Sequence, residues 1–130
     1  MPKLVMMRSI KTFALTILVI LSLGAASASA ATPSVRVAAD YACALAEAGN
    51  VSCWGANVLG QLGNGTLADS ASPVAVKDVA NAVQLDVGLY GACALIADGT
   101  VKCWGGTQYG ALGTNSPLTA TGTATTIAGL

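Results

Sequence analysis

Residues 42–63 and 92–113 are two copies of one motif set fifty positions apart. The first reads ACALAEAGNVSCWGANVLGQLG and the second ACALIADGTVKCWGGTQYGALG, with twelve of the twenty-two aligned positions identical. A period of this size is the signature of a stacked array. Each repeat is one supersecondary unit that buries its faces only against its neighbours. The chain is therefore expected to fold as two similar units in contact.

Each copy reads as a hairpin. In the second, Ala92 to Ile96 leads in, Thr100 to Trp104 leads out, and Ala97-Asp98-Gly99 lies between them. A three-residue hairpin loop joins a type I turn to a residue at positive φ, the conformation glycine adopts at least cost. Placing Gly99 there pairs Leu95 with Val101 and Cys93 with Cys103. Directly opposed residues stand about 4.5–5.5 Å apart at Cβ, close to what a disulfide requires. The first copy repeats this around Glu47-Ala48-Gly49, with Cys43 opposite Cys53. Strand alternation turns Trp54 and Trp104 to the face away from the adjacent cysteines, which suits packing against a neighbouring sheet. Further strands are expected over residues 35–37, from Pro73 to Val76, within 79–87 and, weakly, within 123–130. Residues 64–72 and 114–122 read as loops.

The first eleven residues carry Lys3, Arg8 and Lys11. An apolar run over residues 12–23 comes next, and Ala28-Ser29-Ala30 matches the small-residue cleavage pattern. This is the three-part form of a secretory signal peptide, with cleavage expected near Ala30. The apolar run is short of the roughly 20 residues a spanning helix needs, so no membrane segment is expected after cleavage. The four cysteines then face an oxidising compartment. Two disulfides are expected rather than a zinc site, which favours closely spaced cysteines. Histidine is absent, which excludes serine–histidine and cysteine–histidine catalysis. Asp98 is accounted for by its turn, so no catalytic residue, cofactor or metal ligand is assigned. Beyond the leader, three cationic residues stand against six acidic ones, a balance that offers no footprint for nucleic acid.

Cys-Ala-Leu, then Gly-x-Val-x-Cys-Trp-Gly, then Gly-x-Leu-Gly resembles the regulator of chromosome condensation repeat, in the cysteine-paired variant of secreted bacterial proteins. The resemblance implies an all-β fold in which each repeat supplies one blade of a β-propeller. After the expected signal peptide over residues 1–30 and a linker over 31–34, it divides the chain into a first blade over 35–80 and a second over 81–130. The first copy keeps the pattern best, with Asn57, Gln61 and Gly65-Thr66, where the second has Thr107, Ala111 and Asn115-Ser116. Two blades cannot close a ring. The resemblance thus implies an incomplete propeller, completed by further blades or by self-association, with outer faces lined by Trp54, Leu62, Trp104, Leu112 and Ile127. Similar family members bind protein partners through loops on one propeller face. That makes Leu59, Gln61, Asn64, Gln108, Tyr109 and Asn115 the expected partner contacts. The leading expectation is a non-catalytic protein-binding module that is secreted, periplasmic or at the cell surface. One rival is guanine-nucleotide exchange on a small GTPase, as in the family's nuclear member, against which an export signal argues. The other is a structural or adhesive role at the cell surface.

Overall fold

A computed structural model describes residues 30–113 and 120–130. The expected signal peptide, up to residue 29, and the contact candidate Asn115 lie outside the described residues. The fold is all-β and consists of two four-stranded antiparallel sheets. The first contains β1 (Ser34–Val37), β2 (Tyr41–Leu45), β3 (Val51–Gly55) and β4 (Ser70–Ala75), side by side in chain order. The second contains β5 (Ala82–Val87), β6 (Gly91–Ile96), β7 (Val101–Gly106) and β8 (Ala120–Thr126), again in order. Among the described residues between β7 and β8, Gln108–Gly110 forms a 3-10 turn. Among the described residues, no helix is long and apolar enough to cross a membrane.

The two central hairpins have the register that their loop glycines dictate. Gly49 and Gly99 take φ of 81° and 90°, and Cys43 pairs with Cys53 as Cys93 does with Cys103. Both pairs are bonded as disulfides across a sequence separation of 10. A loop this short gives roughly 3 kcal/mol of stabilisation in the chain-entropy account. In the second turn, the Asp98 carboxylate accepts the Thr100 amide at 2.9 Å and the Thr100 hydroxyl at 2.7 Å. Those two bonds, the backbone one first, hold its pKa below the usual carboxylate value.

The outer strands start earlier than their composition suggests. β4 begins at Ser70 rather than Pro73, and β8 at Ala120 rather than near Thr123. A bulge is the reason. Cys53 pairs with Val74 and Gly55 with Ser70, so four residues of β4 run against two of β3. Cys103 with Thr125 and Gly105 with Thr121 repeat the irregularity. It is possible only with glycine after the tryptophan: a Cβ on Gly55 would stand 2.4 Å from the Asp40 carbonyl oxygen. Bulges of this kind bend a strand and re-aim the loop attached to it.

The sheets stack face to face and share one core. Tyr41, Cys43, Leu45, Val51 and Cys53 of the first pack against Ala82, Leu85, Ala92, Ala94, Ile96 and Trp104 of the second. Hydrogen bonds cross the junction. Arg36 Nε donates to the Leu85 carbonyl at 3.2 Å, the Ala82 amide to the Gly49 carbonyl at 3.0 Å, and Trp104 Nε1 to the Gln61 carbonyl at 2.9 Å. This corrects one expectation. Trp104 and Leu62 do not line outer faces but are wholly buried between the sheets, and Leu112 is buried as well. Only Trp54 and Ile127 of that set keep part of their surface exposed. The reason is the long loop after β3, which folds back over the second sheet and covers Trp104.

Tyr41 is the clearest polar lock at this junction. Its hydroxyl hydrogen is shared between the Gly88 carbonyl at 2.8 Å and the Gly91 carbonyl at 2.6 Å. Burial, reinforced by the charges of Asp40 and Asp86, pushes the phenol well above its ordinary value. A folded-state pKa raised in this way contributes stability in full below the unfolded value, ~10 for tyrosine, and loses it as pH climbs towards the folded value. Tyr41→Phe should lower stability at neutral pH by about 1–2 kcal/mol and flatten the alkaline decline. Urea midpoints for both proteins from neutral to strongly alkaline pH test this. An unchanged alkaline slope in the variant would show that the decline arises elsewhere.

Candidate protein-binding site

Antiparallel order returns the chain to one end of the sheets at the β1–β2, β3–β4, β5–β6 and β7–β8 connections. That end carries the long loops, whereas the tight glycine turns of the hairpins occupy the other. The long loop of the first sheet, residues 56–69, is held from within by Asn57. This residue is fully buried. Its side-chain Nδ2 donates to the carbonyls of Thr66 and Ala68 at 2.9 and 3.0 Å, and its Oδ1 accepts the Leu62 amide at 2.9 Å. Its own amide donates to Asp69 Oδ1 at 2.7 Å. One side chain thereby supplies the bonds that a strand ladder would otherwise give this loop.

The same loop is stitched to the second sheet. The Gly65 amide donates to the Gly122 carbonyl at 2.7 Å, and Asn64 forms an antiparallel bridge with Thr123. The Asn64 side chain turns back on its own loop, accepting the Thr66 amide at 3.1 Å and the Thr66 hydroxyl at 2.9 Å. Gln61, expected as a contact residue, faces the other way. It is only 2% exposed, its Oε1 accepts the Leu59 amide at 2.9 Å, and its carbonyl receives Trp104. Its side chain closes the loop and is not presented to a partner. The cause is local, because Leu59 is at the turn and its amide has no strand partner.

Large apolar side chains stand on this braced framework. Val58 is 67% exposed and Leu67 55%, both on the first long loop, while Leu89 and Tyr90 on the β5–β6 turn are half-exposed or more. Two of these segments meet at Gly106. A Cβ built there would lie 3.2 Å from Tyr90 Cβ and 3.4 Å from Leu59 Cδ1. A hollow of about 360 Å³ opens beside them, floored by Val87, Gly91 and Leu112. Gln108 is exposed on the 3-10 turn, which also contains Tyr109. The repeat motif does not single out Val58, Leu67, Leu89 or Tyr90. Their one sequence signal is a large apolar residue inside an otherwise small and polar connection. This end of the sheets thus carries exposed apolar side chains together with the exposed Asp69, Asp86 and Gln108.

Comparison with known proteins agrees with this architecture. Residues 48–95 match the model of the Regulator of chromosome condensation (RCC1) repeat. The matched segment runs from the first hairpin turn through β3, β4 and β5 into β6, so the sequence repeat straddles the junction between the sheets. Among solved structures, the chain is similar to human WBSCR16, with a TM-score of 0.68 and 24% identity over 75% of this chain. It is also similar to the structure of Kap60 bound to yeast RCC1 (Prp20), with a TM-score of 0.66 and 20% identity over 73% of this chain. The match covers 25% of the human chain and 22% of the yeast one. No curated protein matches the sequence.

Proposed function

We propose that this chain, a carrier of the regulator of chromosome condensation repeat, is a secreted, non-catalytic module that binds a protein partner at the loop end of its two sheets. The carrying observation is that exposed Val58 and Leu67 stand on a loop fixed by Asn57 and by the bridge to β8, and exposed Leu89 and Tyr90 on a turn whose carbonyls are held by the Tyr41 hydroxyl. Apolar side chains on an ordered backbone lose little conformational freedom when they dock, and aromatic residues are favoured anchors. Leu59, Asn64 and Gln108 frame the same end in this reading. The disulfides support export, since such bonds persist in oxidising compartments. The yeast relative was itself captured with a protein, Kap60.

A photo-crosslinking amino acid placed at Leu67 or Tyr90 in the full chain should trap the same protein from the native extracellular fraction. One placed at Asp98, at the opposite end of the sheets, should trap none. Equal capture from Asp98, or no adduct from either loop position, would overturn the assignment.

A further inference from the structure

Among the described residues, the two sheets bury one face each against the other and leave one face each without a covering sheet. The open faces are made of the same residues as the buried ones. In the second sheet, Ala92, Ala94 and Trp104 are buried at the junction. In the first sheet the equivalents, Ala42, Ala44 and Trp54, lie on the face turned away, beside Val35 and Val37, which are 58% and 75% exposed. The complementary surface shows the same duplication. The stripe that receives Ala92, Ala94 and Trp104 consists of Cys43, Leu45, Val51 and Cys53, all buried. Its equivalents, Cys93, Leu95, Val101 and Cys103, line the open face of the second sheet, and three of them remain partly exposed. Trp104 Nε1 is bonded to the Gln61 carbonyl, whereas the Trp54 side chain makes no hydrogen bond among the described residues.

We infer that a second copy of this chain docks head to tail, its Trp54 face on the Leu95–Val101 face of the first, reproducing between chains the junction that each chain already contains. The occupant follows from continuity with that junction. Both halves of a proven packing surface are present, identical at their central positions, and each lacks its counterpart within the described residues. In the docked pair Trp54 covers Gly113 and Ile127 and donates to the carbonyl of residue 111. These are the counterparts of Gly63, Val76 and Gln61, which surround Trp104. An interface between unlike faces is heterologous, so it continues into a ring or an open row.

The rims differ from the intramolecular junction in two places. Asp86 stands where Arg36 donates to the Leu85 carbonyl, and Gly91 stands where Tyr41 supplies its hydroxyl. Asp86 would face the carbonyl of Val35, an acceptor opposed to an acceptor. The association is therefore weaker than the internal junction and depends on concentration. Gly91 cannot be repaired, because a Cβ there would lie 2.5 Å from the Trp104 carbonyl oxygen. Asp86 is exposed and can be.

Light scattering on the full chain, produced by export into an oxidising compartment, tests the inference. The wild-type mass should rise with concentration through the micromolar range. Asp86→Arg should shift that rise to lower concentration. Trp54→Arg and Leu95→Arg should each remain monomeric, while their equimolar mixture forms a dimer and stops there, because each variant keeps one intact face. A wild type that stays monomeric throughout, an assembly that Trp54→Arg leaves unchanged, or a mixture that fails to pair would overturn it. Should Trp54→Arg not fold, the Asp86→Arg arm still decides, and unchanged association there counts against the inference. The surfaces are sheet faces rather than loop tips, so crosslinking at Leu67 or Tyr90 can fail while this holds, and the reverse.

Discussion

Trp104→Ala is expected to bring the protein close to unfolding, while Trp54→Ala leaves the fold largely intact. The two residues share their neighbours in sequence, Cys before and Gly after, and the same pairing partner type in the adjacent strand, Ala92 or Ala42. Their surroundings decide the difference. Trp104 has no exposed surface and packs between the sheets against Gly63 and Val76, with its Nε1 hydrogen satisfied by the Gln61 carbonyl. Removing a buried tryptophan typically costs about 3–5 kcal/mol, the lost transfer energy plus the cavity left behind. Small domains hold roughly 5–15 kcal/mol in all. For a domain of this size the loss lowers the melting temperature by at least about 12 °C. Trp54 is only partly buried and lies on the face turned away from the second sheet, so its removal forfeits less. Paired thermal melts of the two variants in monomeric, dilute solution give the comparison. Equal shifts would mean that the sheets do not pack on the Trp104 face.

That contrast also marks what the sequence can and cannot carry. The hairpins are legible because their determinants are local. Gly49 and Gly99 fix the turn, the turn fixes the register, and the register sets Cys43 against Cys53 and Cys93 against Cys103. The stacking of repeats is legible from the fifty-residue period, and with it the all-β fold. The faces are not, because a motif repeated in two sheets reads alike whether or not a neighbour covers it. Trp104 and Leu62 are therefore expected outside and are found inside. The bulges at Gly55 and Gly105 are hidden for a related reason. They depend on a close approach to the β1–β2 and β5–β6 turns, contacts that no local pattern records. Gln61 is placed among the contacts by the family resemblance, but an amide two residues earlier needs an acceptor. The Tyr41 hydroxyl, bonded to carbonyls 47 and 50 positions away, has no sequence signal at all.

Asn57 makes the second large prediction, and it separates the loop from the sheets. Asn57→Ala removes two donors and one acceptor from a fully buried side chain, leaving the buried Leu62 amide unpaired and the carbonyls of the exposed Thr66 and Ala68 to find water. Each buried polar group deprived of its partner costs about 1–3 kcal/mol. The loop relaxes to recover part of this, so the expected loss is about 3 kcal/mol. Relaxation should be local first, since the hydrogen bonds within residues 56–69 converge on this one side chain. The Leu62 amide should exchange with solvent much faster in Asn57→Ala, while amides of the β2–β3 hairpin, closed by its disulfide, change only with global stability. Asn57→Asp adds a pH dependence. A carboxylate there would meet two carbonyl oxygens and the nearby Asp69, so its pKa is raised in the folded state, and the destabilisation deepens as pH rises through the ordinary carboxylate range. Hydrogen exchange resolved by residue, at two pH values for the aspartate variant, reads both effects. Unchanged protection at Leu62 in the alanine variant would show that the loop is held by its bridge to β8 instead, and that the surface bearing Val58 and Leu67 owes its rigidity to the second sheet rather than to Asn57.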